Sequence, residues 1–257
     1  MSARLPRPKK RFGQHFLTDR HYLGRIVEAI GAQRDDHMVE IGPGTGLLTA
    51  ELAPRLERLH VVEIDRDLAA ALGGRFANVV VHNADALDFD FARLPQPLRV
   101  VGNLPYNVSS PILFRIAGIA ERVRDCLFLL QREVVERMVA APDTADYGRL
   151  SVMLQYRFAM ALVLHVPAGA FTPPPKVESA LVRMQPLGAD RLVARDEGLF
   201  SRIVAGAFSQ RRKTLRNAVR SLADADAFAR AGIDAGRRGE TLSVREFVAL
   251  ADASCAG

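Results

Sequence analysis

The feature that most constrains this chain is a series of short apolar runs, Met38 to Ile41, His60 to Ile64, Val79 to Val81, Leu98 to Val101 and Cys126 to Leu130, separated by segments able to form helices. Runs this short and this apolar fit strands covered on both faces. Their alternation with helical segments supplies the crossovers of a mostly parallel sheet. Ala161 to Val166 and Ala180 to Met184, joined by a long connection containing Pro173 to Pro175, add two strands and bring the expected sheet to seven. Ahead of the first strand, Thr18 or Asp19 can cap a helix whose apolar positions Leu23, Ile26, Val27 and Ile30 recur at helical spacing, and Gly31 can end it.

Around Gly188 the strand pattern stops. The remainder is rich in Ala, Arg and Leu, with helical spacing at Ile203, Ala207, Leu215, Val219 and Leu222. A capping box at Ser243 and Glu246 starts a last helix that turns Phe247 and Leu250 inward. The expected organisation is a Rossmann-like α/β domain over residues 1–187 and a small all-helical domain over 188–257. At 257 residues and 49% hydrophobic content, core size is not limiting.

Charge is distributed unevenly. The net charge is +6, and the first eleven residues hold Arg4, Arg7, Lys9, Lys10 and Arg11 with no acid. Such an arm reads either as a solvated terminus or as a contact for nucleic acid. No apolar stretch resembles a signal peptide or reaches the length of a bilayer span, so a cytoplasmic protein without membrane attachment is expected. Cys126 sits within an apolar run and reads as a small buried hydrophobe, and with Cys255 as the only other cysteine neither a redox nor a metal role is expected.

The segment Val39-Glu40-Ile41-Gly42-Pro43-Gly44-Thr45-Gly46 follows the first strand and opens a helix, which puts glycines where the backbone must turn sharply and approach a ligand. Alone it is also compatible with a tight strand-to-helix turn. Glu63, 21 residues after Gly42, closes the second strand, where a carboxylate can accept bonds from both ribose hydroxyls of a nucleotide. The spacing G-x-G-x-G departs from the G-x-G-x-x-G of dinucleotide sites, which favours S-adenosylmethionine over the nicotinamide of a dehydrogenase. Asp85, after the third strand, can accept the amino group of the cofactor's adenine; its other reading is the cap of a short helix.

Asn103-Leu104-Pro105-Tyr106 follows the fourth strand, at the edge where open α/β sheets place ligands. An adenine amine is a poor nucleophile because its lone pair is delocalised into the ring. The Asn103 side-chain oxygen and the Leu104 carbonyl can accept its two hydrogens and favour a pyramidal nitrogen. Pro105 restricts Leu104 to extended conformations, and Tyr106 offers a stacking face for an extruded base.

These residues, with Phe12-Gly13-Gln14-His15-Phe16-Leu17, Glu40 to Gly46, Glu63-Ile64-Asp65, Asn83-Ala84-Asp85, Asn103 through Pro111, Gln131 to Met138, Tyr147 to Met153 and Phe171 to Val182, closely resemble the ribosomal RNA adenine dimethyltransferase family along nearly the whole chain. The resemblance implies a class I methyltransferase fold, S-adenosylmethionine as methyl donor and S-adenosylhomocysteine as product. It implies cofactor contacts from His15, Leu17, Gly42, Gly44, Glu63, Asp85 and Asn103, and catalytic parts for Asn103, Leu104, Tyr106 and Phe171, the last lying across the target base from Tyr106. Without the resemblance, His15 reads as a turn residue, Leu17 as a core contact and Phe171 as an anchor for the proline-rich loop.

The family contains enzymes that dimethylate two adjacent adenosines near the 3′ end of 16S rRNA in the small ribosomal subunit, and macrolide-resistance enzymes that act on 23S rRNA. Gly13 to Leu17, Phe171 to Lys176, Tyr147 to Ser151 and Phe208 to Asn217 resemble the first group. Arg212, Arg216 and Arg220 are expected on one helical face, a stripe able to follow phosphates, although flanking acids leave residues 188–257 with twelve Lys and Arg against nine Asp and Glu. The expectation is a monomer acting on 16S rRNA within the small subunit. A role as an assembly checkpoint, with catalysis secondary, is the competing reading.

Overall fold

The computed structural model describes residues 15–189, 191–210 and 213–255. The basic arm at 1–11, the Phe12 to Gln14 part of the first motif and Arg212 lie outside these residues. The chain forms two compact units: one takes in the chain up to Val135 and Met160–Pro186, the other Glu136–Ala159 and the chain from Leu187 onward.

In the first unit a two-residue strand, β1 (Phe16–Leu17), pairs antiparallel with β8 (Phe171–Thr172), with Leu17 opposite Phe171. The chain then enters α1 (Arg20–Ile30). Its cap is Asp19, whose carboxylate accepts from the amides of His21 and Tyr22 at 2.8 and 3.2 Å, and Gly31 ends it with φ 57°. The buried stripe is Leu23, Ile26, Val27 and Ile30, the set that the spacing predicts.

The main sheet contains β2 (His37–Ile41), β3 (Leu59–Glu63), β4 (Val79–Asn83), β5 (Leu98–Asn103), β6 (Val123–Gln131), β7 (Phe158–Val166) and β9 (Ser179–Pro186), in the order β4-β3-β2-β5-β6-β9-β7. All seven expected strands are present, with α2 (Leu47–Leu52), α3 (Arg66–Leu72), α4 (Ser109–Ala117), α5 (Arg132–Val139) and α6 (Arg149–Gln155) between them in the chain. Neighbours from β4 across to β6 are parallel, and β9 runs antiparallel to β6. The chain winds outward from β2 in one direction and from β5 in the other, so the switch point of this open sheet lies between those two strands. Ile41, Glu63, Asn83 and Asn103 end their strands at this shared carboxyl edge. The close approach of β2 and β5 depends on Gly102, where a Cβ would overlap the Ile41 carbonyl.

At the opposite edge, Arg99 carries a buried charge inside an apolar run. Its guanidinium forks onto Asp125 at 2.8 and 2.8 Å, reaches Asp36 at 2.6 Å and donates to the Ile30 carbonyl at 2.6 Å. One cation thereby serves two buried acids and an end carbonyl of α1, while Arg124 and the Gln33 amide add bonds to Asp36 at 2.9 and 2.7 Å.

The second unit has its own core. Phe200, Ile203, Val204 and Ala207 of α7 (Glu197–Ser209) pack with Phe228 of α9 (Ala225–Ala231), with Phe247 and Leu250 of α10 (Val244–Ser254), and with Tyr147, Val152 and Tyr156. Ser243 and Glu246 form the expected capping box of α10. The expected arginine stripe is corrected. The intervening helix α8 covers only Leu215–Ala218, and Arg220 falls in the turn that follows. The Leu215 and Arg216 amides donate to Arg237 and Ala235 carbonyls at 2.7 and 3.1 Å, and the chain bends to bury Leu215, Val219 and Ala223. Four-residue spacing here comes from one helical turn plus a bend, so Arg216 and Arg220 do not share a helix face.

Candidate active site

The loop between β2 and α2 (Leu47–Leu52) turns on Gly42, Gly44 and Gly46, with φ of 68°, 57° and 77°. A side chain at Gly44 would be strained twice, by the left-handed backbone and by a Cβ 2.7 Å from the Phe16 ring. The loop is tied to the end of β3: Glu63 accepts the Gly44 amide at 3.0 Å on one carboxylate oxygen and the Asp65 amide at 2.8 Å on the other. Burial pushes its carboxyl above the ordinary range, and these amide bonds oppose the shift. Below the loop, Glu40 is 2% exposed and accepts the Thr49 hydroxyl at 2.7 Å. Burial, offset by that bond and reinforced by repulsion from Glu63, pushes it up to about 7.

A cleft of about 840 Å³, counting its open mouth, runs along this carboxyl edge. His15, Gly42, Gly44, Glu63, Asp85, Asn103, Leu104 and Tyr106, expected from the sequence, all border it. Asp85 also accepts the Leu87 amide at 2.9 Å, closing a turn over residues 86–88 where the expected short helix is not formed, and it keeps its place in the cleft. Asn103 closes β5 and donates its Nδ2 to the His15 carbonyl at 2.8 Å. That bond leaves the amide oxygen Oδ1 as the acceptor on the other branch of the carboxamide. The Leu104 amide is fixed to the Leu129 carbonyl at 3.1 Å. The ring of Tyr106 stacks on His15 with centroids 5.5 Å apart and planes at 24°, and its hydroxyl bonds Ser179 Oγ at 2.8 Å. His15 is itself held through Nδ1 to the Pro173 carbonyl at 2.8 Å.

Two expected residues are placed elsewhere. Leu17 packs in the sheet's core and borders a neighbouring cavity behind the glycine loop with Leu23, Ile26 and Leu181. Phe171 is 2% exposed, registered with Leu17 in the same core, and does not border the cleft. Its ring packs in the core where β1 pairs with β8. Sequence reasoning gave no part to Ile64, 46% exposed at the cleft, nor to Ala84, Ala86, Val108 and Ile112 along its wall. An apolar side chain directly after the acid that ends β3 was the available signal.

The cleft thus sets two carboxylates at adjacent strand ends, with apolar side chains between them and a side-chain amide at the switch point. This donor-poor, acceptor-rich arrangement suits a sugar with free hydroxyls and a flat heterocycle bearing an amine.

A model of the family "Ribosomal RNA adenine dimethylase" matches residues 6–254. A ribosomal RNA small subunit methyltransferase A from Aromatoleum aromaticum is 56% identical over 246 residues, 95% of this chain and 93% of that protein. The protein of the same name from Laribacter hongkongensis is 56% identical over 249 residues, covering 95% of each. Among solved structures, a dimethyladenosine transferase from Plasmodium falciparum shares the fold with a TM-score of 0.78 at 23% identity, over 92% of this chain and 96% of that one. The 23S rRNA methyltransferase ErmE gives 0.68 at 28% identity, over 93% and 98%. Family match and cleft chemistry converge on methyl transfer to RNA, and the chain belongs to the ribosomal RNA adenine dimethylase family.

Proposed function

We propose that this enzyme transfers two methyl groups from S-adenosylmethionine to N6 of each of two adjacent adenosines in the 3′-terminal hairpin loop of 16S rRNA, acting as a cytoplasmic monomer on the small subunit. The observation that carries the chemistry is Asn103. Its Nδ2 is committed to the His15 carbonyl, so Oδ1 faces the adenine amine together with the Leu104 carbonyl. The two acceptors draw the amine hydrogens into their plane and turn the nitrogen lone pair toward the methyl donor. Tyr106 stacks the extruded base.

On the cofactor side, Glu63 holds the ribose hydroxyls and Asp85 the adenine amine, with Ile64 against the ring. Gly42, Gly44 and His15 border the methionine end. Leu17 has its side chain in the core, so its contact falls to the main chain. When bound, S-adenosylmethionine supplies a sulfonium methyl open to in-line attack. Orientation supplies the rate, and no strong base is needed because the nitrogen becomes acidic as it gains the methyl group. The small-subunit assignment is supported by the names of relatives that share more than half of this sequence. RNA contact extends to the helical domain over 188–257. Among the described residues, no helix is long and apolar enough to cross a membrane.

The test is incubation with labelled donor and unmethylated small subunits, followed by mapping of the product. Label on two adjacent adenines near the 3′ end is expected, and Asn103→Ala is expected to lower transfer by at least about 100-fold. Label on another base, or full activity of that variant, would refute the reading.

A further inference from the structure

Tyr106 is held at two points that the loop carrying it does not supply. The Val108 amide closes onto the Pro105 carbonyl at 3.2 Å, and Ser109 Oγ donates to the Tyr106 carbonyl at 3.2 Å, which fixes the main chain of the turn. The direction of the side chain is set from outside it. One ring face lies against His15, and the hydroxyl bonds Ser179. Ser179 is wholly buried, opens β9 and is registered with Gln131 of β6. Its Oγ is therefore positioned by the sheet.

A tyrosine free at its hydroxyl can swing about χ1, whereas one tied to a central strand cannot. Burial raises the Tyr106 hydroxyl above its ordinary pKa, with the Ser179 bond opposing, so this group stays protonated through the working range and is suited to holding rather than to proton transfer. We propose that Ser179 is a positioning residue: through the Tyr106 hydroxyl it fixes where the remaining ring face meets the adenine and so aligns N6 with Asn103 Oδ1. The assignment rests on the function proposed above. It gives the Tyr106 ring a face support, His15 just ahead of β1, and an edge support, Ser179 on β9.

The test is a double-mutant cycle on unmethylated small subunits with Ser179→Ala, Tyr106→Phe and the pair. Each single variant removes one end of the same bond. Each is expected to lower kcat about 3- to 10-fold, the effect of one hydrogen bond, and the double variant is expected to match the worse single. Affinity for S-adenosylhomocysteine is expected to stay at the wild-type value, because Ser179 does not border the cofactor side. Wild-type kcat for Ser179→Ala, or losses that multiply in the double variant, would overturn the proposal.

A crystal structure of Ser179→Ala reads the pinning without any assay. A displaced or multiply placed Tyr106 ring supports the proposal, and an unmoved ring overturns it. Should the wild type put no methyl on adenine, the functional reading fails while this structure still decides the pinning.

Discussion

Two buried carboxyls lie under the cofactor loop, and burial acts on both in the same direction with different consequences. Glu40 titrates at about 7 in the folded chain against an ordinary value of 4.5. Between those values the folded protein keeps a proton that the unfolded chain has released, so stability falls as pH rises through the window. The melting midpoint of the wild type is expected to drop between about pH 5 and pH 8 more than that of Glu40→Gln, which cannot titrate; equal slopes would remove Glu40 as the cause. Glu63 is also raised, and in the cofactor site proposed above its charged form is the one that would accept ribose hydroxyls. Affinity for S-adenosylhomocysteine is therefore expected to weaken on acidification at a higher pH than an ordinary glutamate would give. Glu63→Gln is expected to cost on the order of 10- to 100-fold and to flatten that dependence. Calorimetric titration across pH checks both.

The strands that build the cleft were legible as short apolar runs, because β2, β3 and β5 are almost wholly buried while β4, at the edge of the sheet, is only partly covered, and the helices at either end because Asp19 and Ser243 announce them. The β1–β8 pair was not legible: two residues a side carry no periodicity, so the burial of Leu17 and Phe171 comes from pairing across more than 150 positions of sequence. Arg99 was hidden inside an apolar run, because its partners Asp36 and Asp125 come from two other segments. Of the site, the residues at strand ends could be read in sequence, while the supports behind them, Ser179 above all, required the register of β6 and β9. The contact between β2 and β5 is the element on which the cleft depends most. Gly102→Ala would drive a methyl group into the Ile41 carbonyl, a backbone atom with no rotamer to escape to. A loss of about 2–4 kcal/mol in denaturant unfolding is expected. Because the same shift moves the glycine loop against Asn103, weaker cofactor binding is expected in whatever protein remains folded. Unchanged stability would show that the strands can part at no cost.

At the scale of the molecule, methyl transfer and subunit binding are expected to separate by mutation. The proposed cofactor cleft and Asn103 belong to the sheet's edge, whereas Arg216 and Arg220 belong to the helical unit and are exposed there. Although these two arginines do not form one stripe, each can still meet a phosphate, because a phosphate contact requires a reachable cation and not a shared helix face. Replacing both with Glu is expected to weaken binding to small subunits and to lower the slope of log affinity against log salt by about 2, with affinity for S-adenosylhomocysteine unchanged. An unchanged slope would take both residues out of the RNA contact. Asn103→Ala makes the converse cut, losing methyl transfer while subunit affinity holds. Cells carrying only that variant then decide between an enzyme and an assembly checkpoint. If their subunits mature normally, binding is what maturation needs; if they fail as a deletion does, the methyl groups are.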